Sequence, residues 1–197
     1  MQPIPRRENP YDLFREWYEE AWEAEAKYPD GVSLATVDPQ GMPSVRTVLM
    51  KEWDERGFVF YTNFNSRKGR ELLTARKAGL CFYWKSLERQ LRIVGPVEPV
   101  SEEQADAYFA SRPRESRLGA WASHQSEEIT DRSVLVARLE EVRARYEGTD
   151  VPRPPHWSGM RVMPVEIEFW QEGEFRLHDR VVYTLEEGRW VSRVLSP

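Results

Sequence analysis

Positive charge gathers in one short stretch of this 197-residue chain. Residues 46–71 read RTVLMKEWDERGFVFYTNFNSRKGRE, with Arg67, Lys68 and Arg70 directly after Ser66, and Arg46 and Lys51 upstream. Ser66 is a good helix N-cap, so the three cations fall in a first turn, where the macrodipole disfavours positive charge. The orphan N–H groups of that turn attract an anion. A phosphate among the cations is one account of the pattern, a solvated basic turn the other, and these residues weigh the two evenly. Arg46 and Lys51 are five apart and face opposite sides of a regular strand. They can serve one ligand only across a bulge or at a sheet edge.

Two further clusters could carry chemistry. In residues 170–180, WQEGEFRLHDR, an extended chain places Arg176, His178 and Arg180 on one face. Two permanent cations and an imidazole side by side suit an anionic or electron-rich partner, although a surface strand can show the same pattern. In residues 108–116, YFASRPRES, Tyr108 and Arg112 are one helical turn apart, and Ser116 continues the line if the turn at Pro113 allows. Phenol, guanidinium and hydroxyl together suit a phosphate monoester; a helix end with ordinary terminal cations is the alternative.

The elements that must hold these groups follow from periodicity and punctuation. Asn9-Pro10 opens a helix with Leu13, Phe14, Trp17, Ala21 and Ala24 at helical spacing, stopped by Pro29-Asp30-Gly31. Strands are expected over 32–37, 46–52, 58–63, 80–84, 90–97, 165–169, 181–185 and 190–194. Helices are expected after Ser66, over Ser101 to Pro113 from a capping box, and around Leu135, Leu139, Val142 and Tyr146. Tight turns between six to eight short strands predict an α+β fold, an antiparallel split β-barrel decorated by about four helices, in one domain spanning 1–197.

Composition narrows the chemistry. A net charge of −5 argues against nucleic acid and anionic membrane as partners, so the local basic clusters fit a small anion. Cys81 is the only cysteine, which excludes an intramolecular disulfide, and His124, His156 and His178 are too scattered for a metal site. The start MQPIPRRENPYDLF has no apolar signal region, and the expected location is the cytoplasm. Mononucleotide phosphate loops, dinucleotide G-x-G-x-x-G turns and G-x-S-x-G elbows are absent.

Taken in order, residues 46–51 (RTVLMK), Tyr61-Thr62-Asn63, Ser66-Arg67-Lys68, Leu87-Glu88-Arg89-Gln90, 108–116 and 169–180 (FWQEGEFRLHDR) closely resemble the pyridoxine (pyridoxamine) 5′-phosphate oxidases. The resemblance runs from about Pro10 to the end of the chain. It implies an FMN-binding split barrel working as a homodimer with flavin between subunits, to which the eight Trp, eight Tyr and eight Phe also point. It implies oxidation of pyridoxine or pyridoxamine 5′-phosphate to pyridoxal 5′-phosphate, with O2 as acceptor, hydrogen peroxide released, and ammonia from the amine. The implied FMN residues are Arg46, Lys51, Tyr61, Thr62, Ser66, Arg67, Lys68, Gln90, Gln125, Ser126, Trp170 and Arg180. Lys51, Tyr108, Arg112 and Ser116 are implied at the substrate phosphate, with Arg176 and His178 over its ring as the catalytic pair. A related flavin oxidase acting on another aromatic, such as a phenazine precursor, is the alternative, against which Tyr108, Arg112 and Ser116 speak; a non-catalytic flavin or pyridoxal phosphate binder is a third. Two departures stand out: Tyr28 occupies the place of a family acid, with Asp30 two residues on, and Arg6 and Arg7 are the only cations of a short N-terminal arm.

Overall fold

A computed structural model describes residues 3–197, so Met1 and Gln2 of the N-terminal arm lie outside the described residues. Helix α1 (Pro10–Ala24) starts where Asn9 accepts a hydrogen bond from the Tyr11 N–H, and buries Leu13, Phe14, Trp17 and Ala21. Strands β1 (Gly31–Val37), β2 (Pro43–Asp54) and β3 (Gly57–Asn63) form a meander, followed by α2 (Arg67–Ala75). Then come β4 (Lys77–Trp84), β5 (Arg89–Pro99), and helices α3 (Glu102–Ser111), α4 (Arg114–Ala122) and α5 (Arg132–Arg145). Strands β6 (Trp157–Val162), β7 (Glu166–Gln171), β8 (Asp179–Glu186) and β9 (Arg189–Val194) complete the chain.

Among the described residues these strands form one antiparallel sheet in the order β4-β1-β2-β3-β6-β5-β7-β8-β9, and an extra β4–β5 pairing closes six of them into a barrel. Closure removes most of the exposed edges of those six strands, and the first half of β2 keeps one. β5 makes the split: residues 97–99 pair with β6, whereas residues 89–94 pair with β7 and lead into the β7-β8-β9 extension. Alternation on each strand sends Leu34, Phe58, Phe60, Phe82, Leu91, Ile93, Ile167 and Phe169 into a core with α1 packed against it.

The α+β barrel agrees with the sequence expectation. Strand β6 and helix α4 were not anticipated. All six residues of β6 are buried, so the polar alternation that marks a one-sided strand is missing. Helix α4 has only nine residues and follows Pro113 directly. The extended reading of 176–180 is corrected: Glu174–Arg176 is a 3-10 turn with Phe175 at φ 55° and Arg176 at φ 64°, and the strand starts only at Asp179. Hydrogen bonds from the Leu177 N–H to the Glu174 carbonyl and from the Gly173 N–H to His178 Nδ1 close that turn.

Candidate active site

A cavity of about 580 Å³ follows the edge of β2, and consecutive residues 46–49 help to line it. Residues 43–49 pair with β1, whereas the ladder to β3 begins only at Met50, so this part of β2 has one free edge among the described residues. The ladder then slips, with Met50 opposite Phe60 and Glu52 opposite Val59, which makes Lys51 the extra residue of a bulge. Edge and bulge together answer the parity problem: Arg46 and Lys51 line the same cavity. Lys51 Nζ donates to Asp30 Oδ2 at 2.6 Å, and Asp30 is buried. A carboxylate therefore stands by Lys51 although Tyr28 points into solvent.

One wall is aromatic. The rings of Tyr61 and Tyr108 stack at 3.8 Å, Trp157 lies parallel to both, and the Arg112 guanidinium sits 4.7 Å from the Trp157 ring centre. Gly159 faces Tyr61 across β3 and β6, where a Cβ would meet the Tyr61 ring at 2.8 Å; glycine gives the ring its place. Tyr61 Oη donates to Glu52 Oε1 at 2.5 Å, and Gln104 of α3 donates to the other oxygen at 2.6 Å. Burial and the Glu52 carboxylate push the Tyr61 phenol well above its ordinary range. Burial likewise raises Tyr108, against the pull of Lys51 and Arg112. The Pro113 break turns the chain so that Ser116, in the first turn of α4, lines the cavity with Tyr108 and Arg112.

A second part of the lining is contributed by the start of α2. Ser66 caps α2 by accepting from the Gly69 N–H, and Lys68 reaches into the cavity, where its Nζ donates to Gln125 at 2.9 Å. Burial, helped by Arg46, lowers the Lys68 pKa. The other two cations of the turn already have protein partners: Arg67 Nε donates to Glu71 at 2.8 Å and Arg70 to the Asn65 carbonyl. The Arg67 N–H donates to Ser126 Oγ at 3.2 Å. Glu71 is buried, which by itself would raise its pKa. Hydrogen bonds from Thr36, Ser44 and Arg67 reverse that and hold the carboxyl at about 2.

Two atoms on the cavity lining want a partner. Thr62 Oγ1 and Arg112 Nη1 are buried without any hydrogen bond among the described residues. Burial lowers the Arg112 pKa, the signature of a cation short of a counter-charge. An anion with several acceptor oxygens fits these donors, and Arg46, Lys51, Lys68, Arg112 and Ser116 share the one lining.

Gln90, Trp170, Arg176, His178 and Arg180 do not line this cavity. Gln90, Trp170 and Arg180 are successive partners across β5, β7 and β8, so they share the sheet face turned away from the core. On that face the buried Glu168 accepts from both Arg92 and Arg180, the latter at 2.9 Å. The His178 ring packs against Trp170 at a tilt of 42°, with ring centres 4.7 Å apart. Its Nδ1 accepts from the Gly173 N–H at 3.2 Å, so the neutral ring carries its proton on Nε2 and presents a donor. A Cβ on Gly173 would meet the Leu177 carbonyl at 2.1 Å, which requires glycine for this close turn. Arg176 is exposed and makes no ion pair among the described residues. Arg6 and Arg7 do not reach the cavity either; Arg7 pairs with Glu16 of α1 at 2.9 Å. Residues that sequence reasoning missed are Glu52, Glu71, Asn63, Ser123 and Trp157; the acid four positions after Arg67 was the one legible signal among them.

Residues 18–146 match the pyridoxamine 5′-phosphate oxidase family, and residues 157–197 match the C-terminal dimerisation region of pyridoxine 5′-phosphate oxidase. A pyridoxine/pyridoxamine 5′-phosphate oxidase of Brucella canis is 55% identical over 190 residues, covering 95% of this chain and 94% of that protein. The crystal structure of PhzG from Burkholderia lata, in complex with tetrahydrophenazine-1-carboxylic acid, superposes with a TM-score of 0.91 at 34% identity, over 97% of this chain and 94% of that one. A pyridoxamine 5′-phosphate oxidase-related, FMN-binding protein from Nostoc punctiforme shares the fold, with a TM-score of 0.75 at 20% identity, over 93% of this chain and 97% of its own. The match to both parts of the family and the identity over nearly the whole length show that this chain belongs to the pyridoxamine 5′-phosphate oxidase family.

Proposed function

We propose that the chain is an FMN-dependent oxidase that converts pyridoxine or pyridoxamine 5′-phosphate to pyridoxal 5′-phosphate. The observation that carries this reading is the buried, unpartnered Arg112 Nη1 in a cavity it shares with Lys51, Tyr108 and Ser116. These four side chains are a receptor for a phosphate monoester at one end of the cavity. At the other end Arg46, Lys68 and the first turn of α2 would hold the FMN phosphate, with Arg67 and Ser126 beside it and Thr62 donating its free hydroxyl. FMN held there would supply a two-electron acceptor for oxidation at the substrate's 4′ carbon, with O2 as the final acceptor and hydrogen peroxide as its product.

In this reading the chain binds, orients and polarises. The stacked wall of Tyr61, Tyr108 and Trp157 excludes water and fixes the plane of the reacting rings. Arg176 and the Nε2–H of His178 supply donors where negative charge develops on the substrate ring. Because Arg176, His178, Gln90, Trp170 and Arg180 lie apart from the cavity of their own chain, they would act on the cavity of a partner in a homodimer. The match of residues 157–197 to a dimerisation region supports that arrangement.

The test is anaerobic mixing of the purified yellow protein with pyridoxine 5′-phosphate. Bleaching of the flavin absorbance, with FMN and not FAD released on denaturation, is the expected outcome. Reduction by a dihydrophenazine carboxylate but not by pyridoxine 5′-phosphate would move the assignment toward the PhzG-like reaction. A flavin that neither compound reduces would make the chain a binder only.

A further inference from the structure

Glu71 belongs to none of the groups discussed as ligands, yet it joins three elements near the start of α2. One carboxylate oxygen accepts from Ser44 Oγ at 2.7 Å, from Arg46 Nη2 at 3.4 Å and from Thr36 Oγ1; the other accepts from Arg67 Nε at 2.8 Å. Its side chain is 5% exposed, whereas that of Arg67 is 56% exposed. Arg46 is gripped from the same side: it donates to Ser44 Oγ at 2.5 Å, to the Leu34 carbonyl at 3.2 Å and to Thr36.

Helix electrostatics do not explain this acid. A cation N-terminal to an acid at i,i+4 is the less favourable orientation along a helix, and a cation in the first turn opposes the macrodipole. The geometry accounts for it in another way. Arg46 comes from β2 and Arg67 from α2, and both are long side chains with many rotamers. A single buried acceptor that bonds both guanidiniums sets their directions relative to each other, and the two hydroxyls hold the acceptor itself.

We propose that Glu71 is the positioning residue of the anion site, orienting Arg46 and Arg67 toward a phosphate before it binds. The proposal rests on the FMN reading above. It separates from a simpler role, in which Glu71 only neutralises excess positive charge. A mere counter-charge opposes a bound phosphate, so its removal tightens FMN binding. A positioning acid gives the reverse, because loosened guanidiniums must be ordered again by the ligand.

The experiment is FMN dissociation followed by flavin fluorescence, on wild type, Glu71→Gln, Arg67→Ala and the double variant. Glu71→Gln keeps the shape and is expected to weaken FMN about tenfold, roughly the worth of one charge-assisted hydrogen bond. In the Arg67→Ala background that loss is expected to shrink at least about threefold, because part of the path through which Glu71 acts is gone. FMN binding to Glu71→Gln as tight as or tighter than wild type overturns the proposal. So do equal fold-losses in the two backgrounds, which mark a structural role only. If Glu71→Gln does not fold, Arg67→Lys decides: positioning predicts a loss close to that of Arg67→Ala, and near-normal binding by the lysine variant overturns the idea. A wild-type chain that takes up no flavin refutes the functional reading and this proposal together, whereas a flavin-loaded wild type with unaffected variants refutes the proposal alone.

Discussion

The cavity wall and the β7-β8-β9 extension carry the same kinds of side chain but treat them differently. On the cavity lining every cation but Arg112 is tied down within the chain, Lys51 to Asp30, Arg46 to Glu71 and Lys68 to Gln125, and Arg67 beside it is tied to Glu71 as well. On the extension Arg180 is held by Glu168, whereas Arg176 stands exposed on a left-handed backbone between Phe175, 89% exposed, and Leu177, 69% exposed. Two consecutive non-glycine residues at positive φ are costly, roughly 1–3 kcal/mol each, and persist where the surroundings over-determine them. Large apolar side chains beside them are covered when something else docks there. The first region is preorganised by its own chain. The second, in the proposed homodimer, is completed by the partner.

The largest effect that can break this comparison is complementation between subunits. Lys51→Ala damages the cavity wall, and Arg176→Ala damages the extension. Each variant alone is expected to fall to a few per cent of wild-type turnover or less, roughly a hundredfold loss. Mixed dimers reassorted from the two variants are expected to recover about a quarter of wild-type activity, since half of the dimers are mixed and each has one undamaged site. No recovery from demonstrated mixed dimers would place both residues in one chain's site.

A smaller effect separates cofactor from substrate. Arg112→Ala is expected to raise KM for the phosphorylated substrate roughly ten- to a hundredfold, as the loss of a charge-assisted contact implies, with FMN affinity within about threefold of wild type. Arg67→Ala is expected to weaken FMN over a similar range. Titration of each variant with FMN and with substrate reads both, and a FMN loss in Arg112→Ala as large as in Arg67→Ala would merge the two ends of the cavity.

Acid sharpens the view of the preorganised wall. The Glu71 pKa is lowered from its ordinary 4.5 to about 2, so it stabilises the fold at pH above 4.5. That contribution is lost as pH falls from about 4.5 through 2. Unfolding of wild type and Glu71→Gln by urea is expected to differ most at pH 6 and to converge on acidification. A gap that stays constant down to pH 3 would mean that the acid is not anchored as described.

The smallest effect is spectroscopic. Nitrogen-15 spectra of neutral His178 are expected to show an unprotonated Nδ1 and a protonated Nε2. The opposite tautomer would break the Gly173 contact and remove His178 as a donor through Nε2.

Much of this was legible in the chain itself. Alternating apolar residues in 58–63 and 90–97 mark strands because a one-sided strand must alternate, and the Asn9, Ser66 and Ser101 caps mark helix starts because the first N–H groups need acceptors. Tyr108 and Arg112 could be linked from one turn of helical spacing. What local pattern could not carry was anything that depends on a distant partner. Strand β6, buried at every position, looks like no amphipathic element. The bulge at Lys51 is a property of its pairing with β3, not of the residue. Glu71 reads as one more helix acid until β1 and β2 bring Thr36, Ser44 and Arg46 against it. Residues 176–180 read as a strand, but the Gly173 contact to His178 holds 176–178 in a turn and the strand begins at Asp179. The sequence by itself determined most of the elements, though not β6 or α4, and which residue types are available for an anion. The tertiary structure alone decided which cations share a cavity and which acids hold them, because burial and long-range hydrogen bonds exist only once the barrel has closed.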